Sequence, residues 1–315
     1  MKAIRYHRYG GPEVLQYEDV PDPAPAPGEV EVRVRAVSVS PINWKLAKGI
    51  ATVNAPLPQI PGSECAGETP DGRRVVLAGG GYGTARPGVY AEKITALPAH
   101  LVDIPEGVSF AEAASLGVAY ATAQLALVAR AGLQKGESVA VLGATGGVGV
   151  AALQLARLAG ASPLIAVARP ESHETLRRFG ADVTLDPAQE DLGQAIARAA
   201  GGGANVILDP VAGPVGVRAL AGLAPWGRQV VLGTAAGDTV TFSVPVLYGR
   251  NASLLGFTLF GYADKVVPTI QQLLEYLATR RLVVPIERTL PLSQAADAWR
   301  LLQERGRLGK IILVP

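Results

Sequence analysis

The chain has 315 residues, of which 49% are hydrophobic and 18% are charged, and its formal net charge is +2. This length suits two domains, because a single hydrophobic core stops growing at about 250–300 residues. The apolar content excludes a disordered chain, and the small net charge gives no general attraction to nucleic acid or to an anionic membrane. Cys65 is the single cysteine, which excludes an internal disulfide and, with no apolar leader in residues 1–8, favours a cytoplasmic location.

The first part of the chain, to about residue 110, is predicted to be rich in β-strands. Residues 29–37 alternate polar and apolar side chains, which is the period of a half-buried strand. The proline-rich run at 21–28 predicts a connector, and the glycine-rich run at 78–88 predicts a loop. Further strands are predicted at 1–6, 14–20, 73–77 and 89–95.

The sequence changes character near Phe110, where alanine-rich helical segments begin. Predicted strands and helices then alternate, which builds a doubly wound parallel sheet because parallel strands need crossover connections. The strands are predicted at 138–142, 164–168, 183–185, 206–209, 229–232 and 253–257. The helices are predicted at 111–117, 119–130, 148–158, 171–179, 192–200 and 215–223.

The end of the chain returns to short strands. A helix is predicted at 263–280, strands at 282–288 and 311–314, and a helix between them at 294–303. We therefore predict an α/β protein in which residues 1–112 and 283–315 form one domain. Residues 113–282 form the second, Rossmann-type domain.

The strongest motif is the glycine turn between the strand at 138–142 and the helix at 148–158. Glycine there lets a pyrophosphate approach the backbone, and the helix N-terminus offers unpaired N–H groups to the phosphates. We predict that this turn binds a dinucleotide; a tight turn without a ligand is the alternative. The cofactor-binding residues predicted here are Gly143, Thr145, Gly146, Gly147, Val148 and Gly149.

The residue that follows the next predicted strand, at 164–168, indicates which group the site accepts at the 2′ position of the adenosine ribose. An acidic residue there is typical of NAD sites, whereas an arginine suits the 2′-phosphate of NADP. This chain has Arg169, and Glu171 lies two residues too late. We therefore predict NADPH as the cofactor, with Ser172 and His173 adding hydrogen bonds; a solvated loop charge is the alternative for Arg169.

Taken together, the motifs resemble those of the zinc-independent quinone oxidoreductases, a zeta-crystallin-like branch of the medium-chain dehydrogenase/reductases. The resemblance covers essentially the whole chain. It implies a GroES-like, partly barrelled β domain with a Rossmann domain inserted before its last elements. The segments that carry it, besides the glycine turn, are residues 2–4 (KAI), 40–43 (SPIN), 61–67 (PGSECAG), 88–92 (GVYAE), 178–182 (RFGAD) and 309–313 (GKIIL).

The resemblance also bears on metal binding. Zinc-dependent relatives use a cysteine and a histidine at positions that correspond to Ser40 and Ser63, and a catalytic zinc needs three protein ligands. One cysteine cannot supply their four-cysteine structural site. The three histidines, His7, His100 and His173, show no ligand spacing. We therefore predict that no metal is bound.

Without a metal, hydrogen-bond donors must stabilise the charge that develops on the acceptor oxygen. The resemblance places Asn43 and Lys45 at the catalytic loop; a solvated helix charge is the alternative for Lys45. It implies a substrate pocket between the domains, lined also by Ile42 and Tyr82. Further cofactor contacts implied by the resemblance are Thr122, Gly233, Thr234, Gly256, Phe257 and Lys310, the last being equally suited to a structural role.

The predicted function is an NADPH-dependent, zinc-independent reductase that transfers hydride to a quinone. Reduction of enones, a non-catalytic NADPH-binding role and an alcohol dehydrogenase are the alternatives, and the last lacks the zinc ligands. No basic stripe interleaved with aromatic residues supports RNA binding. The family commonly dimerises through the sixth strand of the Rossmann sheet, so the resemblance implies a homodimer through residues 239–257.

Overall fold

The computed structural model describes residues 1–49, 56–304 and 306–315. The chain divides into two compact units. Unit 1 comprises Met1–Ala121, Ala263–Arg305 and Gly309–Pro315, and unit 2 comprises Thr122–Tyr262 and Gly306–Leu308. These bounds differ from the domain division at 112/113 and 282/283, which stays a prediction.

The elements of unit 1 that precede residue 122 are mostly short strands. The strands are β1 (Lys2–Arg5), β2 (Gln16–Asp19), β3 (Val30–Val39), β4 (Cys65–Glu68), β5 (Arg74–Leu77), β6 (Lys93–Ala96) and β7 (Leu101–Asp103). The helices are α1 (Pro41–Ala47) and α2 (Phe110–Ala114). A π-helical turn at Leu116–Tyr120 follows α2.

In unit 2, strands and helices alternate. The helices are α3 (Ala121–Leu125), whose first residue belongs to unit 1, α4 (Gly147–Leu158), α5 (His173–Arg178), α6 (Leu192–Ala199), α7 (Gly213–Leu220) and α8 (Pro245–Tyr248). The strands are β8 (Val139–Leu142), β9 (Leu164–Val167), β10 (Val183–Leu185), β11 (Ala204–Asp209), β12 (Leu223–Val231) and β13 (Ser253–Gly256). The tail then adds α9 (Ala263–Ala278), β14 (Ile286–Pro291), α10 (Ala295–Leu301) and β15 (Lys310–Val314).

The main sheet of unit 1 is ordered β14-β15-β3-β4-β5-β7, with β6 also paired to β3. β15 lies antiparallel to β3, with Ile312 opposite Ser38. This pairing confirms the prediction that the end of the chain returns to the first part. The largest fully buried side chain, Trp299, packs edge-on against Tyr90 in the hydrophobic core of this unit.

The sheet of unit 2 is parallel and ordered β10-β9-β8-β11-β12-β13. The prediction of a parallel sheet with alternating helices is confirmed. All four residues of β8 are buried, as are all four of β9, because helices cover both faces of a parallel sheet. This burial explains why these strands read as continuous apolar runs rather than as alternating patterns.

Some predicted elements were displaced and others were missed. The strand predicted at 89–95 begins at Lys93, and the strand predicted at 282–288 begins at Ile286. The strands β4 and β7 and the helices α1 and α8 were not predicted. These elements have three to seven residues, which is too short to show a period. No helix in the described ranges is long and apolar enough to cross a bilayer.

Candidate active site

The glycine turn after β8 is open where a phosphate would approach. Gly143 has φ of +58°, a left-handed conformation that favours glycine. Gly146 is the N-cap residue of the twelve-residue helix α4, so no side chain of the capping residue occupies the N–H groups at the start of the helix. A Cβ added to Gly146 would meet nothing closer than the carbonyl oxygen of Gly143, at 3.5 Å. The turn therefore leaves the N-terminal N–H groups of α4 accessible, which fits the pyrophosphate of a dinucleotide.

Gly149 has a different role from Gly146. A Cβ on Gly149 would lie 2.5 Å from the Gly143 carbonyl oxygen and 2.6 Å from the Ala144 Cα. Only glycine lets α4 pack this closely on the turn. Gly146 thus leaves room for a ligand, whereas Gly149 permits close packing.

Arg169 follows β9 and is exposed. Its guanidinium makes no hydrogen bond or ion pair with the part of the chain that the structure describes. His173 Nε2 lies 2.8 Å from the carbonyl oxygen of Ala168, so the proton of a neutral ring belongs on Nε2. Nδ1 is then the ring atom left for a ligand. Arg169 is the unpartnered cation in this loop, as a 2′-phosphate requires.

The other predicted cofactor residues of unit 2 also follow strands. Gly233 and Thr234 come after β12, and a Cβ on Gly233 would lie 2.3 Å from the Pro210 carbonyl oxygen. Gly256 ends β13, and the ring of Phe257 stacks on that of Tyr262 at 5.0 Å. Because the strands are parallel, these residues lie at the same edge of the sheet as the glycine turn, where dinucleotides bind.

Thr122, another residue predicted to contact the cofactor, lies in the helix α3 rather than after a strand, and its side chain is 8% exposed.

A buried polar cluster lies in unit 1, and we define it as Ser40, Asn43, Ser63, Glu64 and Lys310. Ser40 Oγ donates to Glu64 Oε1 at 2.5 Å. The Lys310 ammonium lies 3.1 Å from the same carboxylate oxygen and 3.2 Å from Ser40 Oγ. Glu64 is fully buried and Lys310 is 4% exposed. The described partners of Lys310 are thus within unit 1, and its predicted contact with the cofactor stays a prediction.

The second oxygen of Glu64 binds the helical segment that follows α2. Glu64 Oε2 accepts a hydrogen bond from the backbone N–H of Val118 at 2.7 Å. Val118 lies in the π-helical turn, a geometry that is frequent at functional sites. A Cβ on Gly117 would lie 3.0 Å from the Cβ of Glu64, so glycine makes room for the carboxylate. Glu64 therefore connects Ser40 at the start of α1, the π-helical turn and β15.

Asn43 and Ser63 complete the cluster. The Asn43 side chain is 1% exposed. Its Oδ1 accepts from the Ser40 backbone N–H at 3.3 Å, and its Nδ2 donates to Ser63 Oγ at 2.8 Å. One donor of Asn43 is thus used by Ser63, and the prediction that Asn43 itself donates to a substrate stays a prediction. Glu64 and Ser63 were not predicted as functional residues, although both lie in the 61–67 motif.

The remaining residues of unit 1 that were predicted to contact the substrate, Ile42, Lys45 and Tyr82, differ in their exposure to solvent. Ile42 and Lys45 lie on α1 and are partly exposed. Tyr82 is 3% exposed, and its hydroxyl donates to the Thr95 carbonyl oxygen at 2.5 Å. Burial raises the pKa of Tyr82 to about 12. The side chain belongs to the hydrophobic core of unit 1, and its predicted role in the substrate pocket stays a prediction.

The chemistry of the cluster does not fit a zinc ion. Ser40 and Ser63 offer neutral hydroxyls, which are not usual zinc ligands. The Glu64 carboxylate is already paired with the Lys310 ammonium. Cys65 is 1% exposed, and burial raises the pKa of its thiol, which disfavours the thiolate that binds metals. The described residues contain no group of three His, Cys, Asp or Glu side chains that could hold a metal.

The sequence matches known proteins over its whole length. The family model described as zinc-binding dehydrogenase matches residues 147–279. The quinone oxidoreductase of Rattus norvegicus is 31% identical over 324 aligned positions, which cover 100% of this chain and 98% of that protein.

Solved structures show the same architecture. A structure described as an NAD-dependent alcohol dehydrogenase has a TM-score of 0.91 at 30% identity, over 100% of both chains. A mycobacterial protein complexed with NADPH has a TM-score of 0.89 at 27% identity, also over 100% of both chains. These likenesses confirm the predicted fold class, a GroES-like β domain combined with a Rossmann domain.

Proposed function

Because this chain belongs to the quinone oxidoreductase family of the medium-chain dehydrogenase/reductases, we propose that it transfers hydride from NADPH to a quinone without zinc. It is an oxidoreductase of this family. The observation that carries the proposal is the geometry of unit 2 at the carboxyl ends of its first two strands, β8 and β9. There an open glycine turn precedes α4, and the unpartnered cation of Arg169 follows the neighbouring strand.

The preference for NADPH over NADH is supported by charge. A guanidinium binds a phosphate through charge-assisted hydrogen bonds, and Arg169 has no competing partner in the described residues. The nearest acid, Glu171, lies in the turn that follows, at Pro170–Ser172. The likeness to a mycobacterial protein complexed with NADPH agrees with this preference.

Bound at this site, NADPH supplies a hydride from C4 of its nicotinamide. With one proton from water, the products are the hydroquinone and NADP⁺. The chain orients the acceptor and donates hydrogen bonds to the oxygen on which negative charge develops. We propose Lys45, on the last turn of α1, as one such donor.

The zinc-free mechanism is supported by the polar cluster. A buried carboxylate needs a cation, and Lys310 supplies one that belongs to the chain itself. A metal would have to displace this ammonium and bind neutral serine hydroxyls. Electrostatic stabilisation of the acceptor therefore falls to hydrogen-bond donors.

The test is the initial rate of NADPH oxidation with a naphthoquinone, measured with and without a chelator, and with NADH in parallel. We expect turnover that prefers NADPH and is unchanged by the chelator. Turnover of small enones but not of quinones would replace the substrate class. Binding of NADPH without turnover of either acceptor would overturn the enzymatic proposal in favour of a binding role.

We also propose a homodimer that acts in the cytoplasm. β13 is the last strand of the sheet in unit 2, so one of its edges is unpaired in the described chain. Exposed apolar side chains are Leu254 within this strand and, in the segment of sequence before it, Val240, Val244 and Tyr248. Light scattering should give twice the monomer mass, and Leu254→Lys should shift the mass toward the monomer. A monomeric wild-type protein would contradict the proposal.

A further inference from the structure

Ser63 is the member of the polar cluster that reaches the surface. Its side chain is partly exposed. The other four members, Ser40, Asn43, Glu64 and Lys310, are between 0% and 4% exposed. Of the donors in the cluster, Ser63 is therefore the one that a ligand could reach.

The hydrogen bonds of the cluster fix where the Ser63 proton can go. The Ser40 backbone N–H can only donate, so Oδ1 of Asn43 must face it, and Nδ2 must face Ser63. An amide NH₂ donates and does not accept. Ser63 Oγ is therefore an acceptor from Asn43, and among the described residues it has no other partner. The Ser63 proton remains available to an acceptor outside the chain.

The backbone holds Ser63 in place from both sides. Gly62 has φ of +104°, and a Cβ there would lie 2.3 Å from the ring of Tyr90. The carbonyl oxygen of Gly62 accepts from the Val89 N–H at 3.2 Å, and that of Glu64 accepts from the Ser38 N–H at 3.2 Å. A donor held in this way loses little freedom when it binds, which is the condition for electrostatic preorganisation.

The proton of the other hydroxyl in the cluster, that of Ser40, is not available to a ligand. Ser40 Oγ donates to the Glu64 carboxylate, and the Lys310 ammonium lies against both. The carboxylate and the ammonium neutralise each other in the interior, and the Ser40 hydroxyl is hydrogen-bonded to both. They anchor the Ser40 backbone, whose N–H in turn orients Asn43.

We propose that Ser63 is a catalytic residue that donates a hydrogen bond to the carbonyl oxygen of the acceptor. Asn43 is a positioning residue that turns the Ser63 proton toward that oxygen. As hydride reaches the acceptor, negative charge develops on the oxygen, and the Ser63 hydroxyl stabilises it. This inference rests on the proposed reduction of quinones or related carbonyl compounds.

Two substitutions test the two roles. Ser63→Ala removes the donor. Asn43→Asp keeps the shape of the side chain and the bond to the Ser40 N–H, but its second oxygen would accept the Ser63 proton and withdraw it from the acceptor. We measure kcat and KM for a naphthoquinone, the dissociation constant of NADPH by fluorescence, and the unfolding temperature. Ser38→Ala is the matched control, because the Ser38 hydroxyl is buried with no partner among the described residues.

We expect Ser63→Ala to lower kcat by about tenfold to a hundredfold, as loss of one preorganised donor does. NADPH binding and the unfolding temperature should change little, and Ser63→Thr should retain most of kcat. Asn43→Asp should give a similar loss, and the double variant should lose no more than either single one. Ser38→Ala should behave as wild type.

Three results would distinguish failure of the Ser63 proposal, failure of the Asn43 proposal and failure of the proposed function. A wild-type rate in Ser63→Ala, in an enzyme that reduces quinones, would overturn this inference alone. Losses that add in the double variant would show that Asn43 does not act through Ser63. Absence of turnover in the wild-type protein would remove the proposed function and this inference with it.

Discussion

The ammonium of Lys310 lies 3.1 Å from Oε1 of Glu64, and the two side chains are 4% and 0% exposed. They are 246 positions apart in the sequence, and the pair joins the last strand to the loop before β4. Because neither charge reaches water, each is stabilised almost wholly by the other and by Ser40 and Val118.

Lys310→Met should therefore destabilise the protein by about 3–5 kcal/mol, because it leaves a buried carboxylate without its cation. The double variant Glu64→Gln/Lys310→Met should be more stable than Lys310→Met, since the uncompensated charge is gone. Urea unfolding of the wild type, both single variants and the double variant measures the coupling between the pair. If the losses in free energy of unfolding of the two single variants add up to that of the double variant, the pair is not coupled and the prediction is wrong.

Arg169→Ala should weaken the binding of NADPH roughly tenfold to a hundredfold and leave that of NADH almost unchanged. The reason is the loss of a charge-assisted hydrogen bond to the 2′-phosphate, worth about 1.5–3 kcal/mol. Fluorescence titration with both cofactors measures the two affinities. Arg198→Ala is the control, because Arg198 is a surface arginine that pairs with Asp191. Equal losses for both cofactors would refute the assignment.

Substitutions in the glycine turn should separate binding from folding. Gly146→Ala adds a Cβ with no contact closer than 3.5 Å, so the protein should fold normally and bind NADPH at least about tenfold more weakly. Gly149→Ala places a Cβ 2.5 Å from a carbonyl oxygen and should cost about 1–3 kcal/mol of stability. Calorimetry and NADPH titration on both variants check this. Normal NADPH affinity in Gly146→Ala would argue against a phosphate at this turn.

The ion pair between Glu137 and Arg228 should make unit 2 sensitive to acid. Burial acts to raise the pKa of Glu137, but hydrogen bonds from Arg228 and from the Gln134 N–H outweigh it and hold the pKa below its usual value of 4.5. A carboxyl with a lowered folded-state pKa stabilises the protein above its unfolded-state pKa. This contribution is lost as the pH falls through the folded-state value.

Glu137→Gln should consequently lower the free energy of unfolding by about 1–2 kcal/mol at pH 7. The difference from wild type should shrink as the pH falls below the unfolded-state pKa of about 4.5 and vanish below the lower folded-state pKa, where the folded wild-type carboxyl also loses its charge. Urea unfolding at neutral and at acidic pH measures both values. A difference that stays constant with pH would show that the charge of Glu137 does not stabilise the fold.

The alternating part of the fold could be predicted because its signals are local. The strands β8 and β9 are continuous apolar runs, and the glycine turn between β8 and α4 has a backbone geometry that few other residues allow. The short elements β4 and α1 gave no such signal. β4 has four residues, Cys-Ala-Gly-Glu, and takes its strand conformation from pairing with β3 and β5.

The sequence by itself determined the glycine turn between β8 and α4, the position of Arg169 and the absence of the usual zinc ligands at 40 and 63. These properties depend on residues that are neighbours in the chain. Only the tertiary structure decided that Glu64 meets Lys310 and that Asn43 turns its amide toward Ser63. Such contacts join distant segments, and their hydrogen-bond direction follows from burial and from the fixed donors of the backbone, neither of which a local pattern records.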